Sequence, residues 1–119
     1  MKIKLFDSEL KVMEVLWAEG DLTAGRLACI LNQETGWNRN TTYTVIKKCI
    51  DKGAVKRLEP NFICSAVISR EEVQEQETAE FINKLFDGSA EMFFASYINN
   101  KNLTREQIDK LKKIVEKLK

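Results

Sequence analysis

The chain has 119 residues, of which 44% are hydrophobic and 31% are charged, and its formal net charge is only +1. This composition predicts a soluble globular protein with one compact domain, or a small domain with an oligomerisation arm, and it excludes a disordered chain. No apolar run approaches the roughly 18 residues that a membrane helix needs. Asp7 and Glu9 also interrupt the start of the chain where a signal peptide would be hydrophobic. We therefore expect a cytoplasmic protein.

The three cysteines, Cys29, Cys49 and Cys64, are widely spaced, and the chain contains no histidine. A zinc site requires ligands in close pairs, so we expect structural thiols, with redox sensing or metal binding as less favoured alternatives. The lack of histidine removes the commonest general base, and no cluster of carboxylates or cysteines replaces it. The sequence therefore predicts a protein that is not an enzyme and that needs no metal and no cofactor.

The first predicted helix runs from Asp7 or Ser8, either of which can cap it, to Ala18, and Gly20 ends it. Helical spacing gives it an apolar stripe. The stripe consists of Leu10, Val12, Met13, Leu16 and Trp17.

A second predicted helix follows Thr23, its N-cap, and extends from Ala24 to about Gln33, with Gly36 as its C-terminal stop. Cys29 lies opposite the apolar face and is expected to be exposed. That apolar face consists of Ala24, Leu27, Ala28 and Leu31.

The segment Asn38–Leu58 contains the third predicted helix and carries a charge of +5, because it has six basic residues and only one acidic residue, Asp51. At 100° per residue, the helix has an apolar face and a polar face. The core face is predicted to consist of Thr42, Val45, Ile46 and Cys49. The opposite face is predicted to present Asn40, Tyr43, Thr44, Lys47 and Asp51, with Thr41 and Lys48 on its flank.

Two strand-like segments follow, Ala54–Leu58 and Phe62–Val67, and Glu59-Pro60-Asn61 is the predicted turn between them. The second and third helices resemble a helix-turn-helix. Three helices followed by a β-hairpin is the order of a winged helix-turn-helix. We predict a mainly α protein in which residues 1–68 form this domain.

Residues 69–119 are predicted to form three further helices. Capping boxes at Ser69 and Thr104 open the first and the third, and the second spans Ala90 to Ile98. Their apolar surface exceeds what a small amino-terminal domain could cover, so a helical dimerisation domain is predicted. The alternative is a monomer in which these helices fold back on the first domain. The predicted interface consists of Phe81, Ile82, Leu85, Phe93, Phe94, Ile108, Leu111, Val115 and Leu118.

A helix that reads duplex DNA needs short polar side chains near its start and cations beside the phosphates. The third helix meets both needs, and its position before a hairpin favours DNA over a merely solvated basic face. The predicted contacts are Thr23, Arg39, Asn40, Thr41, Thr44, Lys47, Lys48, Lys56 and Arg57.

Three stretches in order resemble the penicillinase-repressor (BlaI/MecI) family: SELKVMEVLW at 8–17, TTYTVIKK with DKGAV between 41 and 55, and TAEFINKLFDG at 78–88. The resemblance implies a winged-helix repressor that binds a palindromic operator as a homodimer and blocks transcription sterically. It also implies which residues of the third helix contact DNA. These are Thr41, Thr44, Lys47 and Lys48, with Asn40 beside them.

Family members that answer to β-lactams are inactivated by cleavage in the carboxy-terminal helices, after a membrane sensor-protease is triggered. This resemblance implies antibiotic-resistance regulation and places the matching bond at Ser96–Tyr97, where the family usually has Asn-Phe. The wing tip has no cation, so phosphate contact by the wing is expected only from Lys56 and Arg57. Copper sensing is not expected, because the cysteines of copper-responsive relatives have no counterpart after Cys64.

Two other interpretations remain open. A winged-helix regulator could sense a small ligand between its domains, or a winged-helix adaptor could dock on another protein. Binding to DNA through several cations weakens steeply with salt, and this dependence separates a repressor from an adaptor.

Overall fold

The computed structural model describes residues 3–100 and 104–117, and their side chains except at positions 100, 111 and 114–117. The chain divides into two compact units, Met1–Gln76 and Glu77–Lys119. The elements in order are α1 (Asp7–Glu19), β1 (Leu22–Thr23), α2 (Ala24–Thr35), α3 (Arg39–Asp51), β2 (Val55–Leu58), β3 (Ile63–Ala66), α4 (Arg70–Phe86), α5 (Ala90–Asn100) and α6 (Arg105–Lys117). The mainly α class and the order of three helices before a hairpin are confirmed.

The start of α2 follows the sequence prediction. Thr23 Oγ1 accepts the backbone N–H of Arg26 at 3.1 Å, which satisfies one of the amides that a helix leaves unpaired at its start. The helix ends at Gly36, whose φ of 80° lies in the left-handed region that glycine tolerates best. It is two residues longer than predicted, because Thr35 and not Gln33 is its last residue.

The predicted N-cap of α1 is wrong. The cap is Phe6 and not Asp7 or Ser8, because the carboxylate of Glu9 reaches back and accepts the Phe6 N–H at 2.8 Å. In a capping box this is the bond that the glutamate at the third helical position makes, and Phe6 has no side-chain hydroxyl to make the reciprocal one. Gly20 follows the helix as predicted.

The core of the first unit lies between α1, α2, α3 and the sheet. The predicted core faces of α2 and α3 are confirmed, since all eight side chains are buried. In α1 the stripe is shifted: Leu10 and Trp17 are half-buried, whereas Val15 and Glu9 join the buried set. The indole of Trp17 donates to the Ile68 carbonyl at 2.9 Å, which fixes the chain just before α4.

The three strands form an antiparallel sheet in the order β1–β3–β2. Thr23 lies opposite Ile63, and Arg57 lies opposite Cys64. The hairpin is therefore joined to the start of α2 through β1. This arrangement brings the wing close to the helix pair that precedes it.

The second unit contains the end of α4 together with α5 and α6. Phe93 is the centre of an aromatic cluster, with ring centroids 5.4 to 6.1 Å from those of its neighbours. Those neighbours are Phe81, Phe86, Phe94 and Tyr97. The helix α5 extends to Asn100, two residues beyond the predicted end at Ile98.

Both predicted capping boxes are present. The Ser69 hydroxyl accepts the Glu72 N–H at 3.0 Å, and the Glu72 carboxylate accepts the Ser69 N–H at 3.2 Å. The same reciprocal pair joins Thr104 and Gln107 at 3.1 and 3.0 Å. Because these bonds are local, the sequence pattern alone specifies them.

Two of the three cysteines are core side chains. Cys49 and Cys64 are fully buried and Cys29 is exposed, as expected. Burial raises the pKa of the Cys49 thiol to about 12, with the Glu9 carboxylate as a second cause. Burial likewise raises the pKa of the Cys64 thiol to about 11. Both groups therefore stay protonated at neutral pH, and thiolate chemistry is suppressed.

Candidate nucleic-acid interface

The first two turns of α3 present a polar, exposed face. Asn38 caps the helix, since its Oδ1 accepts the Thr41 N–H at 2.8 Å. The Thr44 hydroxyl donates to the Asn40 carbonyl at 2.9 Å, which orients the hydroxyl and leaves its oxygen able to accept a further bond. The side chains of Asn40, Thr41 and Thr44 are all exposed. This cap was not among the predicted features, although an Asn directly before a helix is a sequence signal for it.

Arg39 and Tyr43 interact one turn apart on α3. A guanidinium nitrogen of Arg39 donates to the Tyr43 hydroxyl at 2.9 Å, and the guanidinium carbon lies 5.0 Å from the ring centroid. A Cβ atom at Gly25 would lie 3.6 Å from Arg39, so the start of α2 closely approaches this side chain. Tyr43, predicted on the polar face, is half-buried because it also packs against Phe62.

The lysines of α3 and its end have different environments. Lys47 and Lys48 are exposed on the helix surface, as a phosphate contact requires. Lys52 instead points inward, where its Nζ lies 2.5 Å from a Glu9 carboxylate oxygen and 2.7 Å from the Lys4 carbonyl oxygen. One of the six basic residues behind the local charge of +5 is thus used to hold α1 to the end of α3.

Glu9 is the most deeply buried charged residue among those described, with 1% of its surface exposed. Burial raises the pKa of its carboxyl, but the hydrogen bonds from Lys52 and the Phe6 N–H, with the charges of Lys52 and Lys48, outweigh burial. The net pKa therefore lies below the ordinary value. The carboxylate is charged at neutral pH, which stabilises the pair.

On the hairpin, Lys56 is exposed, whereas Arg57 is engaged within the wing. The Arg57 guanidinium forms an ion pair with Glu59, and its carbon lies 3.7 Å from the Phe62 ring centroid. Both partners of the pair are about half exposed, so the pair is open to exchange with a solvent or ligand anion. The pairing of Arg57 with Glu59 was not predicted from the sequence.

Phe62 connects the wing to the starts of α2 and α3. Its carbonyl accepts the N–H of Ala24, next to Thr23, at 2.9 Å. Its ring contacts Arg57 on one side and, through Tyr43, is linked to Arg39. The start of α2, the start of α3 and the wing therefore form one continuous surface.

The apolar residues predicted for dimerisation lie in the second unit. Phe81 is 45% exposed and Leu85 is 59% exposed. Ile82, Phe93, Phe94 and Ile108 are half-buried. The side chains of Leu111 and Val115, and all of Leu118, lie outside the described residues.

The predicted cleavage bond, Ser96–Tyr97, lies inside the helix α5. The Tyr97 ring packs against Phe93 with a centroid distance of 6.1 Å. The bond is thus helical and next to the aromatic cluster.

Within residues 3–100 and 104–117, no helix combines the length and the apolar character needed to cross a membrane. No three Cys, Asp or Glu side chains of this part of the chain are grouped as a metal site would require. The chemistry available at the surface described above is hydrogen bonding and charge pairing.

Comparison with known proteins identifies the relatives of this chain. It is 25% identical to the penicillinase repressor of Bacillus licheniformis over 115 residues. The matched region covers 95% of this chain and 90% of that protein. It is 21% identical over 116 residues to the methicillin resistance regulatory protein MecI of Mammaliicoccus sciuri, covering 96% and 94% of the two chains. These names describe a repressor and a regulator, in agreement with the expectation that the chain is not an enzyme.

Solved structures give the same result for the fold. The DNA-binding domain of the repressor BlaI matches with a TM-score of 0.55 and 26% identity, covering 60% of this chain and 90% of that one. Monomeric Bacillus licheniformis BlaI in complex with the blaP half-operator matches with a TM-score of 0.52 and the same identity and coverage. The predicted winged helix-turn-helix is confirmed. The family model described as penicillinase repressor matches residues 5–117, and the chain therefore belongs to the penicillinase repressor family.

Proposed function

We propose that this protein is a cytoplasmic transcriptional repressor that binds a palindromic DNA operator as a homodimer. The observation that carries the proposal is the exposed polar start of α3, where Asn40, Thr41 and Thr44 stand beside the cations Lys47 and Lys48. This surface belongs to a fold whose solved relative, BlaI, is bound to a half-operator. We also propose that it regulates antibiotic resistance, because its relative MecI is named as a methicillin resistance regulatory protein.

In the proposed complex, α3 enters the major groove with its amino-terminal turns. Threonine hydroxyls and the Asn40 amide can donate to and accept from base edges, so they provide sequence discrimination. Lys47, Lys48 and Lys56 contact phosphates and provide affinity that carries no sequence information. An occupied operator then excludes the transcription machinery.

The homodimer is supported by the exposed apolar side chains of the second unit. Burying a side chain such as Leu85 or Phe81 contributes roughly 1.5–3 kcal/mol, and a symmetric partner supplies that burial twice. We assign residues 1–68 to DNA binding and 69–119 to dimerisation. The first turn of α4 is then assigned to the dimerisation part. Its Val73 side chain is nevertheless buried in the core of the first unit.

Inactivation by a membrane sensor-protease is the proposed route of induction, with Ser96–Tyr97 as the cleaved bond. Because this bond lies in α5 and proteases act on locally opened chain, α5 must unwind before cleavage. Cleavage would separate α6 from the DNA-binding part. The dimer would then lose affinity for a two-half-site operator.

Selection from a random-sequence duplex library, followed by sequencing of the bound DNA, tests the proposal. An enriched inverted repeat with two equal half-sites is expected, because a two-fold symmetric dimer reads its site symmetrically. No enrichment, or an association that does not weaken with salt, would support the adaptor instead.

Replacement of Lys48 by alanine should weaken binding to every duplex sequence. If Lys48 contacts a phosphate, the slope of log K against log salt falls by about 0.9 for each bound protomer. Fluorescence anisotropy with labelled duplex DNA at several KCl concentrations measures this slope. Lys11→Ala is the matched control, since it removes the same charge from the exposed surface of α1. Equal slopes for wild type and Lys48→Ala would exclude Lys48 from the phosphate contacts.

A further inference from the structure

Phe62 is held in an unusual backbone conformation at the tip of the wing. Its φ is 51° and that of Asn61 is 76°, both in the left-handed region. Asparagine tolerates this region, but a bulky aromatic residue rarely adopts it. Such a conformation persists only where surrounding contacts hold it, and it often marks a functional position.

The contacts that hold Phe62 come from three different elements. Its carbonyl accepts the Ala24 N–H at the start of α2 at 2.9 Å. Its ring meets Tyr43 of α3 edge to face, with centroids 5.9 Å apart and an interplanar angle of 88°. The Arg57 guanidinium of β2 covers the same ring at 3.7 Å. The two aromatic residues, with one arginine at each end, thus form a continuous row, Arg57–Phe62–Tyr43–Arg39.

Tyr43 restrains Arg39 at the end of this row. Its hydroxyl accepts a guanidinium N–H at 2.9 Å, and its ring lies beneath the guanidinium, with 5.0 Å between carbon and centroid. A hydrogen bond and a ring contact together define both the direction and the plane of the group. An exposed arginine that is already ordered loses less rotamer entropy when it binds an anion.

We propose that Tyr43 and Phe62 are positioning residues that set the Arg39 guanidinium against a DNA phosphate at the start of α3. The inference rests on the proposed function and extends it, because neither aromatic residue needs to touch DNA. The wing affects Arg39 of α3 indirectly, because the Phe62 ring at its tip packs against Tyr43. It therefore contributes to binding although its tip carries no cation.

Tyr43→Phe is the decisive variant, because it removes the hydroxyl that holds Arg39 but keeps the ring against Phe62. It should weaken binding to labelled mixed-sequence duplex DNA by about two- to tenfold, the range expected for losing the preorganisation of one long side chain. The salt slope should fall by up to about 0.9, although no charge has been removed. A purely structural role of the hydroxyl would leave that slope unchanged.

A double-mutant cycle with Arg39→Ala separates positioning from other effects. In the Arg39→Ala background, Tyr43→Phe should have no further effect on affinity. Phe62→Leu should likewise weaken binding only when Arg39 is present, and Phe62→Tyr, which keeps the ring, should restore affinity. Thermal unfolding of each variant identifies any that no longer folds, and Tyr43→Phe, which removes only one hydroxyl, remains as the test if Phe62→Leu does not fold.

The outcomes distinguish the inference from the proposed function. Wild-type binding with additive effects of the Tyr43 and Arg39 substitutions would overturn the positioning role and leave the repressor proposal intact. A wild-type protein that binds no duplex DNA would overturn both. Non-additive effects together with the reduced salt slope would establish the positioning role.

Discussion

Replacement of Glu9 by alanine should lower the free energy of unfolding by about 3 kcal/mol, the lower part of the range for breaking a buried ion pair. The variant leaves the Lys52 ammonium beside the Phe6 ring, 4.1 Å from its centroid, without its carboxylate. It also leaves the Phe6 N–H unpaired at the start of α1. The lower part of the range applies because Lys52 is 28% exposed and can partly reach water. A loss of this size is a large fraction of the unfolding free energy of a typical domain, which is about 5–15 kcal/mol.

Urea denaturation followed by circular dichroism measures the loss. Glu14→Ala is the matched control, because it removes a carboxylate from the exposed face of the same helix and should change stability by less than about 0.5 kcal/mol. Equal midpoints for Glu9→Ala and Glu14→Ala would mean that the pair with Lys52 contributes nothing.

Acid should remove the contribution of Glu9 selectively. Because the pKa of this carboxyl is lower in the folded than in the unfolded protein, its contribution is complete above the unfolded value of about 4.3. It is lost as the pH falls through the folded pKa, where the carboxyl takes up a proton. The difference in unfolding free energy between wild type and Glu9→Gln should therefore be largest at neutral pH and shrink below pH 4 or so. A difference that stays constant across this range would contradict the charge assignment.

Replacement of Leu85 by aspartate should produce monomers and lower affinity for a two-half-site operator by about 10²-fold or more, because the half-sites are no longer linked. Leu85 is 59% exposed, so the substitution should not disturb the fold of a protomer. In the proposed dimer, however, it would bury an unpaired carboxylate. Sedimentation equilibrium measures the oligomeric state, and anisotropy with the selected operator measures the affinity.

Val67→Asp is the control for this substitution. Val67 is 55% exposed but lies in the first unit, so the same change of charge should leave the dimer intact. If Leu85→Asp still sediments as a dimer, Leu85 does not lie in the interface. The half-buried Phe93 of the second unit would then be the next residue to replace.

Features set by neighbours in sequence could be predicted from the sequence. The caps at Thr23, Ser69 and Thr104 depend on residues three positions away, so they are specified locally. The buried face of α3 follows equally directly from helical periodicity, since Thr42 and Ile46 are fully buried.

Features that depend on distant residues could not be predicted. The Glu9–Lys52 pair joins positions 43 residues apart, and no local pattern indicates that an acidic residue of α1 is buried. Tyr43 was predicted on the polar face because helical spacing cannot reveal that the Phe62 ring covers it. The capping role of Glu9 could not be predicted either, because the capping-box signal has a hydroxyl or Asx residue three positions before the glutamate, and Phe6 stands there instead.

The ion pair between Arg57 and Glu59 bears on how a repressor would be distributed over a chromosome. A wing whose arginine is neutralised in place attracts the phosphates of random DNA less strongly than a bare cation does. Fewer molecules are then held at the vast excess of wrong sites, where occupancy depends on charge and not on sequence. A carboxylate at the wing tip would in this way increase the fraction of repressor molecules available to the operator, although it adds no contact there.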